Sequence, residues 1–310
     1  MVSVIIPLFN KFEYVGKTLE SVVKQTYPRI ELIVVDDGST DESLVRVKEF
    51  VAIHQSDFEK VKVVSQKNSG QTSSRIFGVS LSQGEFLAFL DADDIWHPEK
   101  ISRQVQAFNQ QPDLDLVLCD YSILNGTSRL VRTVKLNNLE KKIVAWLLTV
   151  GFGCLPESTG LIKRKSYEKI DGFNPKLEMC AGLDLVFRLS ILGNVIAIPN
   201  VLCGYRVLAT GWHNNKVDLL SSYRLMLNGH PIYRRIADET LLYLNLYMAI
   251  YALRQHKTCT DLFNFASLFK QIPRITTVYI FKSVWRNMVS VMPSWKNHKY
   301  IQDIRKVASL

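Results

Sequence analysis

The strongest constraint on the fold is an alternation between short, β-branched apolar runs and segments with helical spacing. The apolar runs occupy residues 3–7, 31–35, 61–65, 86–90 and 114–119. Between the first two runs, apolar side chains recur three and four positions apart, at Val15, Leu19 and Val22, as they do on one face of a helix. Buried strands alternating with helices predict a doubly wound α/β fold, with a mostly parallel sheet flanked by helices.

The pattern changes along the second half of the chain. Mixed elements continue at first, with helices predicted at 139–149 and 183–192 and strands at 159–162, 195–198 and 201–204. Beyond His213 only helical signals remain, and we place the domain boundary near Gly211. We therefore expect an α/β domain over residues 1–210 and an all-helical extension over residues 211–310.

The net charge of the chain is concentrated in this predicted extension. Residues 211–310 hold 14 Lys and Arg against 5 Asp and Glu, which accounts for the whole net charge of +9. Basic helices that also carry Trp285 and Trp295 suit an anionic membrane surface. For the apolar run 241–253, a helix buried against the first domain is the favoured interpretation and a helix at the membrane interface is the alternative. Nucleic acid is not expected as a partner, because no recognised binding motif accompanies the charge.

The composition, 47% hydrophobic and 22% charged, is that of a folded globular protein. The five cysteines are scattered and odd in number, which argues against a disulfide framework or a zinc site. No apolar run reaches the roughly 18 residues of a membrane span, and the N-terminus lacks the pattern of a signal peptide. We expect a cytoplasmic protein, bound peripherally at the inner face of the membrane.

Aspartates cluster where predicted strands end. The second strand runs into Asp36-Asp37-Gly38-Ser39 and the fourth into Asp91-Ala92-Asp93-Asp94. Because ligands of such sheets bind beyond the carboxyl ends of the strands, these clusters predict a shared polar site. Asp91 and Asp93 lie on one side of an extended segment, where they suit Mg²⁺ or Mn²⁺ together with substrate phosphates. A helix cap or a solvated cluster is the alternative for an isolated Asp-x-Asp.

The cluster after the second strand, residues 36–41, contains both structural and functional positions. Gly38 permits a tight turn, and Ser39 or Asp41 can cap the following helix. Asp37 has no such structural role and is free to accept hydrogen bonds from a nucleobase or a ribose. A phosphoacceptor receiver domain also has aspartates at strand ends, but it predicts a lysine after the fifth strand and half this length.

The order of the motifs resembles that of the family 2 glycosyltransferases over residues 1–206. The motifs are SVIIPLFN at 3–10, VVDDGSTD at 34–41, NSG at 68–70, Arg75, GEFLAFLDADD at 84–94, DGFN at 171–174 and Tyr205-Arg206. The resemblance implies a GT-A fold, an inverting transfer from a nucleoside diphosphate sugar, and a Mn²⁺ or Mg²⁺ ion at the Asp-x-Asp motif.

The resemblance also implies roles for individual residues. Asp91 and Asp93 hold the metal, and Glu157, Ser158 and Arg188 are acceptor candidates. The donor nucleotide is bound by Pro7, Phe9, Asn10, Asp37, Arg75 and Asp91.

One position departs from the family pattern. Gly182 stands where the family has the aspartate that acts as general base, although Asp184 and Arg188 match the rest of the motif. Asp184 is the replacement candidate, with Glu178 as a second, but a shift of two residues rotates a helical side chain by about 200°. A structural ion pair between Asp184 and Arg188 is the alternative.

The expected function is metal-dependent, inverting transfer of one sugar to a hydroxyl acceptor, in the synthesis of a cell-surface polysaccharide or glycolipid. A lipid-linked acceptor would agree with the basic extension. The alternative is a noncatalytic nucleotide-sugar-binding protein or partner subunit, because Gly182 replaces the expected aspartate.

Overall fold

The computed structural model describes residues 1–136 and 157–208, together with Leu225. These residues belong to one compact unit of the chain. The predicted helix at 139–149 and, apart from Leu225, the predicted extension over 211–310 lie outside the described residues. Within the described residues, no helix is long and apolar enough to cross a membrane.

The described residues form a nine-stranded sheet flanked by helices, which confirms the predicted α/β class. The strands are β1 (Val2–Leu8), β2 (Ile30–Asp36), β3 (Lys60–Ser65), β4 (Phe86–Phe89), β5 (Ile95–Trp96), β6 (Leu116–Leu124), β7 (Leu130–Val134), β8 (Leu161–Lys163) and β9 (Val195–Arg206). The helices are α1 (Phe12–Val23), α2 (Ser43–His54), α3 (Gln71–Leu81), α4 (Lys100–Gln110), α5 (Arg164–Lys169) and α6 (Ala181–Leu192).

The sheet has the order β3-β2-β1-β4-β8-β6-β9-β5, with β7 paired to β6. The first four strands are parallel, as are β6 and β9. Strand β8 lies between β4 and β6 and is antiparallel to both. The parallel strands β1, β2 and β4 therefore end at one edge of the sheet, where ligands of such sheets bind.

The run 114–119 overlaps β6, which points in the same direction as β4, although the antiparallel strand β8 lies between them. One detail of the predicted sheet is wrong. The predicted strands 195–198 and 201–204 are one strand, β9, whose register with β6 shifts near Pro199. Proline has no N–H for the ladder, so the chain bulges there and then continues.

Strands β1 and β2 are buried at every position, whereas the edge strand β3 is only partly buried. Helix α3 packs closely on β1 at Gly78. A Cβ atom added at this position would lie only 2.4 Å from Cγ2 of Ile5. Gly16 in helix α1 differs, since a Cβ there meets the guanidinium of the exposed Arg46 at 2.8 Å. The flexible end of Arg46 can move, but the core side chain of Ile5 cannot.

We expect Gly78→Ala to destabilise the protein by about 1–3 kcal/mol, through overpacking against Ile5. The matched variant Gly16→Ala should be neutral or stabilising by up to about 1 kcal/mol, because alanine favours helices over glycine. Urea unfolding of both variants checks this pair. Equal stability of the two variants would show that helix α3 is not held against β1 as described.

Candidate active site

Loops from three neighbouring strand ends meet at the carboxyl edge of the sheet. Asn10, after β1, has a left-handed backbone with φ of 50°. Its Oδ1 accepts hydrogen bonds from the backbone N–H groups of Thr40 at 2.8 Å and Asp41 at 3.3 Å, both after β2. The next residue, Lys11, reaches the segment after β4 through Asp93. The structure therefore brings the predicted strand-end clusters together.

Asp91 is held by two side chains of helix α3. Its Oδ1 accepts hydrogen bonds from Nη2 of Arg75 at 2.6 Å and from Nε2 of Gln71 at 2.9 Å. Its backbone N–H donates to Oγ of Ser158 at 3.2 Å. The second carboxylate oxygen, Oδ2, accepts no hydrogen bond from another described residue. The Asp91 side chain is 14% exposed. One carboxylate oxygen thus remains available at the cleft.

Asp93 is paired with Lys11, which was not among the predicted site residues. Nζ of Lys11 lies 2.7 Å from Oδ2 of Asp93, and the aspartate side chain is 16% exposed. Burial raises the pKa of Asp93, the Lys11 ammonium opposes this shift, and the Asp91 carboxylate adds to it. The second carboxylate oxygen of Asp93, Oδ1, accepts no hydrogen bond from another described residue. The position of Lys11 directly after the Asn10 motif was the signal that could have revealed it.

The available oxygens of Asp91 and Asp93 fit a divalent cation. Both are hard ligands from residues separated by one position, as Mg²⁺ and Mn²⁺ prefer. The described part of the chain contains no group of three or more His, Cys, Asp or Glu that could hold a metal. A cation at this motif would therefore take its remaining ligands from substrate phosphates and water, as expected for such ions in nucleotide sites.

Asp94 points away from the cleft. Its buried carboxylate accepts hydrogen bonds from Oγ of Ser158 at 2.6 Å and from the backbone N–H of Arg206 at 2.8 Å. Burial and the nearby carboxylates of Asp93 and Asp91 raise its pKa well above the ordinary range. Ser158 itself is fully buried. Ser158, a predicted acceptor residue, thus links Asp91 to Asp94. Its hydroxyl is buried and cannot contact an acceptor in this structure.

Arg206 braces the Asp-x-Asp segment from strand β9. Its Nε donates to the carbonyl of Asp93 at 2.7 Å, and its Nη1 donates to Oγ of Ser128 at 2.7 Å. The guanidinium lies 5.0 Å from the ring centroid of Tyr14. The motif Tyr205-Arg206 indicated that this arginine matters, but its positioning role depends on contacts distant in sequence.

Asp37 has a structural role, contrary to the prediction from the sequence. Its Oδ1 accepts hydrogen bonds from Nε2 of Gln66 at 2.7 Å and from the N–H of Ser69 at 2.9 Å. Its Oδ2 accepts one from the N–H of Gly70 at 2.9 Å. The prediction that this carboxylate has no structural role is therefore wrong, because it closes the loop of residues 66–70 before helix α3.

The predicted nucleotide-pocket residues differ in exposure. Pro7 is buried within β1, while the ring of Phe9 is 43% exposed beside Asn10. Arg75 is buried, with 1% exposure, and its guanidinium lies 5.8 Å from the ring centroid of Phe173. Its Nε has no hydrogen-bond partner among the described residues. The structure therefore places Arg75 behind the carboxylates rather than at the surface of the cleft.

Glu157 begins a 3₁₀ turn, Glu157–Thr159, and shares the guanidinium of Arg75 with Asp91. Its Oε1 is 3.3 Å from Nη1 of Arg75 and accepts a hydrogen bond from the N–H of Gly182 at 3.1 Å. Burial raises the pKa of Glu157, the Arg75 charge opposes this, and the Asp91 charge adds to it. Its side chain is 17% exposed. The structure thus brings this predicted acceptor residue to the Asp-x-Asp motif.

Asp184 and Arg188 form a buried ion pair on helix α6. Nη2 of Arg188 lies 2.6 Å from Oδ2 of Asp184, and the two side chains are 6% and 2% exposed. Arg188 also donates hydrogen bonds to the carbonyls of Ile170 and Gly172. The structure therefore places neither the predicted replacement base nor this predicted acceptor residue at the cleft. Instead, the pair ties helix α6 to the turn before it.

A second set of buried side chains supports the turn that carries Glu157. Nε1 of Trp96 donates to the carbonyl of Ser158 at 2.8 Å, and Nε2 of Gln104 donates to the carbonyl of Thr159 at 2.9 Å. Nζ of Lys100 donates to Gln104 at 2.8 Å and lies 4.1 Å from the ring centroid of Trp96. Burial lowers the pKa of Lys100 from 10.5 to about 8.

This buried lysine predicts a rise in stability with pH. Between pH 8 and 10.5 the unfolded chain binds the Lys100 proton and the folded chain does not. The free energy of unfolding should therefore increase by about 1.4 kcal/mol per pH unit in this window. Below the folded pKa both states are protonated, and the contribution no longer changes.

Denaturant unfolding of wild type and Lys100→Met at pH 7.5, 8.5 and 9.5 measures this contribution. We expect the stability of Lys100→Met relative to wild type to fall steadily across the series. The exposed Lys48→Met is the matched control and should show a constant difference. A constant difference for Lys100→Met as well would mean that Lys100 remains protonated in the folded protein.

Two solved structures have a fold similar to that of this chain. S. aureus TarS 1-349 in complex with UDP-GlcNAc has a TM-score of 0.63 and 17% identity, covering 95% of this chain and 91% of that one. The mannosyltransferase PcManGT from Pyrobaculum calidifontis, in complex with GDP-Man and Mn2+, has a TM-score of 0.60 and 17% identity, covering 96% and 88%. The chain therefore has the predicted GT-A fold.

The sequence comparisons identify the family. An uncharacterised glycosyltransferase of Nostoc sp. is 30% identical over 225 residues, 71% of this chain and 69% of the relative. One from Rickettsia prowazekii is 28% identical over 236 residues, 74% and 71% of the two chains. The family "Glycosyl transferase family 2" matches residues 3–171. The chain belongs to this family, which confirms the predicted enzyme class.

Proposed function

We propose that this protein transfers one sugar from a nucleoside diphosphate sugar to a hydroxyl acceptor, with inversion at the anomeric carbon and with Mn²⁺ or Mg²⁺ at Asp91 and Asp93. The observation that carries the proposal is the pair of available carboxylate oxygens at the carboxyl end of β4. It is supported by the solved neighbours, whose descriptions include UDP-GlcNAc in one case and GDP-Man with Mn2+ in the other.

The donor would lie across the strand ends. Phe9 offers an exposed ring and Asn10 an ordered loop at the end of β1. Asp37, at the end of β2, holds the loop of residues 66–70. A cation bound by Asp91 and Asp93 would stabilise the negative charge of the departing diphosphate as a Lewis acid. The Lys11 ammonium, 2.7 Å from Asp93, places a further positive charge at the same position.

Inversion requires one direct displacement at the sugar. The acceptor hydroxyl attacks the anomeric carbon from the face opposite the diphosphate and loses its proton to a general base. The electron pair of the broken bond leaves with the nucleoside diphosphate. No covalent sugar–protein intermediate is needed, so the chain has to supply only binding groups, positive charge at the diphosphate and a proton acceptor.

Asp93→Asn tests the metal site without removing its volume. We expect wild type to be stabilised by one of UDP, GDP or dTDP only when Mn²⁺ or Mg²⁺ is present. Saturating nucleotide at 100 times its dissociation constant contributes about 2.7 kcal/mol, a shift of several degrees in the melting temperature. Asp93→Asn should lose the metal-dependent part of this shift because it lacks the anionic ligand.

The control for this measurement is Asp57→Asn, which neutralises an exposed aspartate that contacts His54. It should retain the full shift. Full metal-dependent stabilisation of Asp93→Asn by the same nucleotide would contradict the proposed metal site.

We also propose that residues 211–310 form a separate helical region that binds the inner face of the membrane and brings the enzyme to a lipid-linked or polysaccharide acceptor. Support comes from the charge, since this region carries the whole excess of +9, together with Trp285 and Trp295. In this proposal the protein is cytoplasmic and takes part in the synthesis of a cell-surface polysaccharide or glycolipid.

Flotation of the full chain with liposomes measures this association. We expect binding to vesicles that contain anionic phosphatidylglycerol, little binding to neutral phosphatidylcholine vesicles, and release as salt screens the charges. Equal recovery with both kinds of vesicle at low salt would count against an electrostatic membrane contact.

A further inference from the structure

The space beside Gly182 is filled by another residue's carboxylate. A Cβ atom at position 182 would lie 2.3 Å from Cγ of Glu157 and 2.4 Å from its Cδ and Oε1. The N–H of Gly182 donates a hydrogen bond to the same Oε1 at 3.1 Å. Because these separations are far below van der Waals contact, the Glu157 side chain can occupy this position only while residue 182 has no Cβ atom.

Glu157 shares its cation with the metal-binding motif. The planar guanidinium of Arg75 contacts Oδ1 of Asp91 through Nη2 at 2.6 Å and Oε1 of Glu157 through Nη1 at 3.3 Å. Since both contacts come from one rigid group, the two carboxylates lie side by side. The turn after Glu157 is fixed as well, through the bond from the N–H of Asp91 to Ser158.

The other carboxylates around this cleft are less suited to accept a proton from a substrate. Asp94 is fully buried and hydrogen bonded by Ser158, and Asp184 is 2% exposed and paired with Arg188. Asp37 is buried in contact with its loop. Glu157 is 17% exposed. Its Oε2 accepts no hydrogen bond from another described residue.

We propose that Glu157 is the general base of this enzyme, and that Gly182 provides the space in which its carboxylate lies. The inference rests on the glycosyl transfer proposed above and adds the residue that activates the acceptor. It also accounts for the glycine at position 182, since the carboxylate reaches this space from the turn after residue 156 instead of from helix α6.

The step balances without a further reactant. Oε2 of Glu157 takes the proton of the acceptor hydroxyl while the hydroxyl oxygen forms a bond to the anomeric carbon. The bond between that carbon and the diphosphate oxygen breaks, and its electron pair leaves with the nucleoside diphosphate. Glu157 later releases the proton to water. When water is the acceptor, the same step hydrolyses the donor.

Donor hydrolysis allows a test before the natural acceptor is identified. The full-length protein is incubated with UDP-GlcNAc or GDP-Man and Mn²⁺, and release of UDP or GDP is measured. We expect Glu157→Gln to lower the rate constant by about 10²- to 10⁴-fold, the usual contribution of a general base. The melting-temperature shift with nucleotide and Mn²⁺ should match that of wild type, which shows a folded protein with an intact donor site.

Azide separates proton transfer from a structural role. Azide is an anionic nucleophile that needs no base, so it should accelerate nucleotide release by Glu157→Ala and form a glycosyl azide of inverted configuration. Wild type should respond little. Glu49→Gln, an exposed glutamate on helix α2, is the matched control and should hydrolyse the donor at the wild-type rate.

Gly182→Ala tests the second half of the proposal. Its Cβ should displace the Glu157 carboxylate and slow hydrolysis while the nucleotide-dependent shift is retained. Wild-type hydrolysis by Gly182→Ala would contradict the claim that Gly182 provides this space.

Three results would overturn the assignment of the base. Hydrolysis by Glu157→Gln within twofold of wild type would exclude Glu157, as would a loss of hydrolysis in Glu178→Gln alone. A wild type that binds nucleotide with Mn²⁺ but turns over donor only after Gly182→Asp would identify a noncatalytic binding protein. A wild type that no nucleotide stabilises, with or without metal, would instead refute the proposed function itself.

Discussion

The buried guanidinium of Arg75 holds together two of the carboxylates that face the cleft. It pairs with Asp91 from the end of β4 and with Glu157 from a turn much later in the chain. A buried arginine is costly unless its charge is compensated, and a buried carboxylate is costly for the same reason. The three groups are therefore stable only together, and each carboxylate has one oxygen committed to Arg75 and one left toward the cleft.

Supporting contacts place these groups on rigid elements. Ser158 joins the backbone of Asp91 to the buried Asp94, and Arg206 fixes the carbonyl of Asp93 from strand β9. Trp96 and Gln104 hold the turn that follows Glu157. Catalytic groups need such support because small displacements of a reacting group cost large factors in rate. In this protein, the support comes from buried side chains on other parts of the chain.

Sequence patterns located the strand-end aspartates because their signal is local. Apolar strands followed directly by Asp91 and Asp93 place these residues at the sheet edge whatever the rest of the chain does. The role of Asp37 was misjudged because its donors lie in the loop of residues 66–70, which approaches only in the folded chain. The three-residue strand β8 was found near its position, but its insertion between β4 and β6 was not foreseen.

The sequence alone determined the α/β alternation, the family and the strand ends at which acidic groups collect. These follow from periodicity and from motifs that occupy consecutive residues. Only the tertiary structure decided which acidic groups are paired inside and which reach the cleft, as the contrast between Asp184 and Glu157 shows. The physical reason is that burial and ion pairing depend on contacts between segments far apart in the chain, which no local pattern records.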